Sequence, residues 1–236
     1  MKIKLRKLKN IIRAEVQNPF LLSEYQRMNA RRLEHLASLH LNLENRSVLE
    51  LGAGIGDLTT FFLDRGCDVT ITEARDFNLK QLKKRYPNND IQKLDADYDA
   101  YPHKHDITFA YGLLYHLKNP ENLIRLMGEA TKEVALIETC VSTSEGVEKN
   151  PIREPSRNIT QAVSGMGCRP TRGWIENELK KYFENVYYPK SQPYHEQFPK
   201  SFLNPPQHKL TRAVFIASKF EIRSDQLTID RPQQYA

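Results

Sequence analysis

Residues Val48-Leu49-Glu50-Leu51-Gly52-Ala53-Gly54-Ile55-Gly56-Asp57 form a short apolar run that passes into glycine at every second position. Glycine accepts positive φ and lets a ligand approach main chain where a Cβ would collide, so the spacing predicts a strand turning tightly beneath a bound small molecule. A dinucleotide fingerprint would place its third glycine where Asp57 stands, and the Gly-Lys-Ser/Thr ending of a phosphate loop is absent, so pyrophosphate is not the expected ligand. Further on, the apolar run Val69-Thr70-Ile71-Thr72 ends at Glu73, where a nucleotide-binding sheet offers a carboxylate to ribose hydroxyls. The expected ligand therefore carries a ribose.

The order of elements follows from periodicity and punctuation. Ser23 with Gln26 reads as a capping box for a helix over about 24–40. Strand one is Val48 to Leu51, and Asp57 opens a helix through Phe61 and Phe62 that Gly66 ends. A strand at 69–72, a helix at 76–86 stopped by Pro87, and strands at 91–94 and 106–110 come next. Asn119 and Pro120 start a helix bearing Leu123, Ile124 and Met127, and Val134 to Ile137 makes strand five. Such alternation specifies α/β architecture with a parallel sheet wound in both directions. In the last third, Trp174 to Phe183 reads as a helix, with strands at 185–188 and 211–218.

The glycine loop resembles that of the class I S-adenosylmethionine-dependent methyltransferases, whose Glu-x-Gly-x-Gly-x-Gly motif is met by Glu50, Gly52, Gly54 and Gly56. The resemblance covers about residues 45–140 well and the remainder loosely. It implies a doubly wound, mostly parallel seven-stranded Rossmann-like sheet behind an N-terminal helical cap. It also implies S-adenosylmethionine as cofactor, with Glu73 and Ala74 at the ribose, Asp95, Ala96 and Asp97 at the adenine, Tyr111 where the fourth strand opens toward substrate, and Tyr25, Arg27 or Arg32 closing over the site. The segment Tyr115-His116 to Pro120 is similar to the His-x-x-x-Pro pattern of ubiquinone-biosynthesis O-methyltransferases and their relatives. His116 is thus the candidate general base, since an imidazole with a pKa of about 6.5 suits proton abstraction near neutrality. The same histidine also shapes the pocket in that group, and both roles stay open.

The expected organisation is a basic leader and cap helix over 1–44, a methyltransferase domain over 45–220 and a polar, loosely held tail over 221–236. Within the domain, the polar stretch 140–173 reads as a substrate insertion over the carboxyl edge of the sheet, and the proline-rich aromatic loop 189–210 as a lid. Gly167 to Trp174 with that loop resembles methyltransferases of sugar and surface-polysaccharide biosynthesis. Tyr115, Arg153, Arg172 and His195 are therefore the candidate acceptor contacts, aromatics stacking on a ring and arginines gripping acidic groups. Glu138, Glu154, Arg157, Arg169 and His208 are further polar candidates.

Charge narrows the partners. The net charge of +6 comes from Lys2, Lys4, Arg6, Lys7, Lys9 and Arg13, leaving 29 basic residues against 29 acidic ones. The body thus lacks a polyanion-attracting field, which disfavours nucleic acid, although the basic N-terminus could touch a surface weakly. No stretch has the ~18 apolar residues of a membrane span, and the basic start lacks the apolar core of a secretory signal, so a cytoplasmic protein is expected. Cys67, Cys140 and Cys168 are too few and too scattered for a disulfide framework or a zinc site, and no resident metal is expected. The Asn/Asp-Pro-Pro-Tyr/Phe motif of planar-nitrogen methyltransferases is missing after strand four, which favours oxygen on a small or sugar acceptor. A wobble-uridine tRNA enzyme, which the Tyr-His-x-x-x-Pro run also resembles, and a non-catalytic S-adenosylmethionine-binding partner protein are the alternatives.

Overall fold

A computed structural model describes residues 18–204 and 210–235; the basic leader and His208 lie outside them. Among the described residues, ten strands and five α-helices follow in order: α1 (Ser23–Ser38), β1 (Ser47–Glu50), α2 (Thr60–Leu63), β2 (Asp68–Glu73), α3 (Asp76–Arg85), β3 (Ile91–Lys93), β4 (His105–Tyr111), α4 (Pro120–Ala130), β5 (Thr131–Val141), β6 (Pro151–Arg153), β7 (Met166–Cys168), α5 (Arg172–Leu179), β8 (Asn185–Pro189), β9 (Thr211–Ser218) and β10 (Leu227–Thr228). Eight of the strands make one sheet in the order β10-β8-β9-β5-β4-β1-β2-β3, and β6 with β7 forms a separate hairpin. The first five strands pair in parallel, with Val48 of β1 beside Val69 of β2 and Ile107 of β4. β9 runs antiparallel to both β5 and β8.

Both faces of the sheet are covered, which is why its strands read as nearly continuous apolar runs. Successive residues serve opposite layers: Val48, Leu136, Val214 and Ile216 pack with Met28, Leu36, Phe61, Phe62 and Leu82, whereas Leu49, Ile137 and Phe215 pack with Leu123, Ile124, Met127, Ile175 and Leu179. The winding reverses beside β1, so the carboxyl ends of β1 and β4 diverge into the crevice where such sheets hold ligands.

Several local expectations are revised. The sheet gains an eighth strand from the polar tail: Leu227 pairs with Pro189 and Thr228 with Tyr188, Tyr235 is buried, and its N–H donates to the Lys200 carbonyl at 2.8 Å. Polarity misled there because this segment is held by main-chain bonds. Ser23 lies inside α1 with Leu22 as its N-cap, and no capping box forms because Gln26 Nε2 donates to the Phe20 carbonyl (2.6 Å) and to Asp57 (2.9 Å). Asp57, held by Gln26 and Arg85, does not open a helix, and α2 is a single turn that begins at Thr60.

Helix α1 is fastened to the sheet by charge. Arg32, 1% exposed, places Nη2 2.6 Å from Glu138 of β5, and Arg212 of β9, 3% exposed, places Nη1 2.9 Å from the other Glu138 oxygen. Removing one partner of a buried ion cluster leaves charge without compensation, at a cost of about 3–5 kcal/mol. Glu138→Ala is expected to lower stability by that order, read as a fall in the urea midpoint at unchanged slope; an unchanged midpoint would contradict it.

Candidate functional site

The crevice at the winding reversal holds a cavity of about 270 Å³. The glycine turn forms one wall. Gly52 and Gly54 have φ of 67° and 61°, and a Cβ would lie 2.7 Å from Leu113 Cδ1 at the first and 2.9 Å from Phe20 Cε1 at the second, so neither tolerates a side chain. Glu73, at the end of β2, is buried, accepts from the Gly54 N–H (2.9 Å) through one oxygen and from the Arg75 N–H (2.8 Å) through the other. Burial pushes its pKa up against those bonds. The Asn78 side chain and the Ala74 N–H also bond to this carboxylate, which lines the cavity. Glu50 accepts from Thr59 Oγ1 at 2.6 Å, and burial raises it to about 7.

At the adjoining wall Asp95 and Asp97 order the turn after β3: the Asp97 N–H donates to Asp95 Oδ1 (3.0 Å) and the Asn119 N–H to Asp97 Oδ1 (2.7 Å). Ala74, Ala96 and Tyr111 line the cavity beside them. Two buried lining atoms have no hydrogen-bond partner among the described residues, Tyr111 Oη and Asn78 Oδ1. The insertion closes this side, with Arg75 Nη2 donating to the Gln161 (2.8 Å) and Ala162 (3.1 Å) carbonyls.

A short 3₁₀ turn after β4 (Leu114–His116) presents Tyr115 and His116 to the cavity, and their rings are 3.9 Å apart. His116 Nδ1 lies 2.5 Å from Glu154 Oε2, a residue of the insertion next to β6. Glu154 also accepts from the Ala162 N–H at 2.8 Å and from Arg169 at 3.3 Å. Burial opposes its ionisation, but His116, the Ala162 N–H and Arg169 together hold its pKa below the usual carboxylate range. Burial lowers the pKa of His116, against the pull of Glu154. The imidazole is therefore neutral near pH 7. Because an ionised carboxylate only accepts, Nδ1 carries the proton and Nε2 keeps its lone pair.

The structure places some predicted residues elsewhere. Gly56 does not line the cavity: it lies under Tyr86, whose hydroxyl donates to the Gly56 carbonyl at 2.6 Å. Arg27 points to solvent and pairs with Glu196 at 2.7 Å, joining α1 to the loop after β8. Arg153 is exposed on the β6 hairpin, Arg172 holds the tail through the Pro232 carbonyl (2.5 Å) and Gln233 (2.9 Å), and buried His195 stays outside the cavity lining. Arg212 and Gln197 line it instead, along with Tyr25, Asn29 and Phe20. A charged residue at the start of an otherwise apolar strand was the available signal for Arg212. Among the described residues, no group of three or more His, Cys, Asp or Glu side chains could hold a metal ion.

A sequence profile for a methyltransferase domain matches residues 21–202. No curated protein matches the chain. Among solved structures, the N-terminal domain of EvdMO1, determined in the presence of SAH and D-fucose, aligns with a TM-score of 0.63 at 17% identity over 80% of this chain and 82% of that one. An S-adenosylmethionine-dependent methyltransferase from Mesorhizobium loti aligns with a TM-score of 0.58 at 15% identity, covering 80% of this chain and 97% of its own. The glycopeptide N-methyltransferase MtfA, complexed with S-adenosylmethionine, aligns with a TM-score of 0.53 at 16% identity over 80% of this chain and 93% of its own. At these identities the likeness is one of fold. With the profile spanning most of its length and the sheet, glycine turn and acid in their expected places, the chain belongs to the methyltransferase-domain family.

Proposed function

We propose that the protein transfers a methyl group from S-adenosylmethionine to a hydroxyl oxygen of a small, sugar-like acceptor, with His116 as general base. The observation that carries the reading is His116 in the cavity lining, held through Nδ1 by Glu154. The cavity suits the nucleoside: Gly52 and Gly54 leave room for close approach, Glu73 sets a buried carboxylate at the end of β2 for the ribose hydroxyls, and Tyr111 Oη and Asn78 Oδ1 are buried polar atoms without a partner among the described residues. The sugar-like acceptor draws support from the EvdMO1 domain, whose structure was determined with D-fucose present.

When bound, S-adenosylmethionine supplies an electrophilic methyl carbon on a sulfonium. His116 Nε2 takes the proton of the acceptor hydroxyl as its oxygen attacks, and Glu154 stabilises the resulting imidazolium through Nδ1–H. The Tyr115 ring, held with the guanidiniums of Arg169 and Arg212 5.0 and 4.9 Å from its centre, fixes the acceptor's position. The insertion over 140–173 serves as acceptor wall, and the described part of the loop after β8, 190–204, serves as a lid through Gln197, keeping water from the methyl donor. Holding the reactants in line supplies the larger share of the acceleration, and the base adds on the order of 10²- to 10⁴-fold.

His116→Ala is expected to reduce kcat by on the order of 10²-fold or more while S-adenosylhomocysteine affinity is retained; a loss of less than tenfold would assign the ring to pocket shape instead. Only neutral His116 accepts a proton, and burial sets its pKa below the usual value of about 6.5. The rate should accordingly hold through neutral pH and fall as pH drops through a midpoint under about 6.5, a limb that a kcat/KM profile would reveal and His116→Ala would abolish. Glu73→Ala should weaken S-adenosylmethionine binding by about 1.5–3 kcal/mol, measured by calorimetry; an unchanged Kd would reject the ribose role.

A further inference from the structure

Two arginines share one carboxylate behind Tyr115. Arg212 donates from Nη1 to Glu138 Oε1 (2.9 Å), from Nη2 to Tyr115 Oη (3.0 Å) and from Nε to Gln197 Oε1 (2.7 Å). Arg32 donates from Nη1 to Asn29 Oδ1 (2.9 Å) and lies against the other Glu138 oxygen, yet its Nε and Nη2 have no well-directed acceptor among the described residues. A guanidinium stays charged, so two of them with one carboxylate leave one positive charge uncompensated in a group that is almost fully buried.

Among the described residues, nothing around the cluster supplies the missing anion. Burial raises the pKa values of the Tyr25, Tyr111 and Tyr115 phenols and the Cys140 thiol, which keeps all four neutral. Other acids around the site are committed, Glu154 to His116 and Arg169, Glu196 to Arg27, and Asp57 to Gln26 and Arg85. A buried charge without a counter-ion is expensive, and the side of the cluster left for one is the cavity, which Arg212, Asn29 and Gln197 all line. Arg212 lies 4.9 Å from the centre of the Tyr115 ring, which is itself 3.9 Å from the His116 ring, so an anion met by Arg212 is on the His116 side of the cavity.

We propose that the acceptor bears a carboxylate next to the hydroxyl that is methylated, as in a sugar acid or other hydroxy acid, and that this carboxylate completes the Arg32–Glu138–Arg212 cluster. The inference rests on the methyl-transfer reading above and names the class of acceptor that this reading left open. Three of the five N–H groups of Arg212 are engaged, which leaves one on each Nη for a carboxylate, and a single negative charge balances the cluster. Neutral sugars of the same shape would leave the guanidinium facing an uncharged hydroxymethyl group.

Calorimetry on the full chain tests it in two stages. S-adenosylhomocysteine is titrated first, and the loaded protein then receives matched pairs, glucuronate against glucose and galacturonate against galactose as their methyl glycosides. The acid of at least one pair is expected to bind at least about tenfold more tightly than its neutral partner, with Arg212→Gln reducing that preference to about threefold or less and leaving S-adenosylhomocysteine affinity intact. The wild-type comparison decides by itself if the variant does not fold. Equal affinities within every pair, or no detectable binding of either acid, would overturn the inference while leaving the cofactor reading in place. A variant that loses S-adenosylhomocysteine affinity but keeps the acid preference would assign the charge to the nucleoside and overturn it as well. Failure of S-adenosylhomocysteine to bind wild type would remove the underlying reading, and the inference with it.

Discussion

Glu138 is the point through which the walls of the cavity are tied together. Its strand neighbours are Tyr111 on one side and Val214 on the other, and its carboxylate holds Arg32 from α1 and Arg212 from β9. Through Arg212 the same charge fixes Tyr115 and Gln197, so a helix, two strands, the turn after β4 and the loop after β8 are referred to one side chain. Buried ion clusters give little net stability because desolvation offsets attraction, but they penalise misplacement strongly. What this one supplies is geometry.

A second charged group works at the opposite flank. Glu154 reaches His116 from a segment that contributes nothing to the main sheet, and the same carboxylate receives the Ala162 N–H that shapes the wall above the cavity. The insertion is thereby coupled to the tautomer of the imidazole. Were the hairpin displaced, Nδ1 would lose its acceptor and the lone pair on Nε2 would no longer be defined by a partner.

Seven of the eight strands of the sheet were legible because of local signatures: apolar runs, glycine or proline at the boundaries, and helices of regular period between them. The same holds for the Gly52–Gly54 turn and Glu73, whose meaning lies in short spacings. Arg212 with Tyr115, and Arg212 with Glu138, meet across 97 and 74 residues, and nothing near either position announces the partner. Arg153 and Arg172 looked equally able to meet an acid, but one stands on an exposed hairpin and the other is engaged by the tail. The role of Gly56 was hidden for a related reason, since its neighbour Tyr86 arrives from 30 residues away. The tail was misread because main-chain pairing has no dependence on side-chain polarity, and the two-residue strand at Leu227 and Thr228 offers too short a pattern to recognise.

That small strand bears on how the molecule meets its own kind. Open sheet margins are templates for pairing between chains, and they are blunted by brevity and charge. On one flank the outermost strand spans two residues and on the other three, the latter ending in Lys93. Neither border offers a ladder long enough to recruit a foreign strand, so the broad β-sheet at the heart of this protein is guarded against edge-to-edge aggregation.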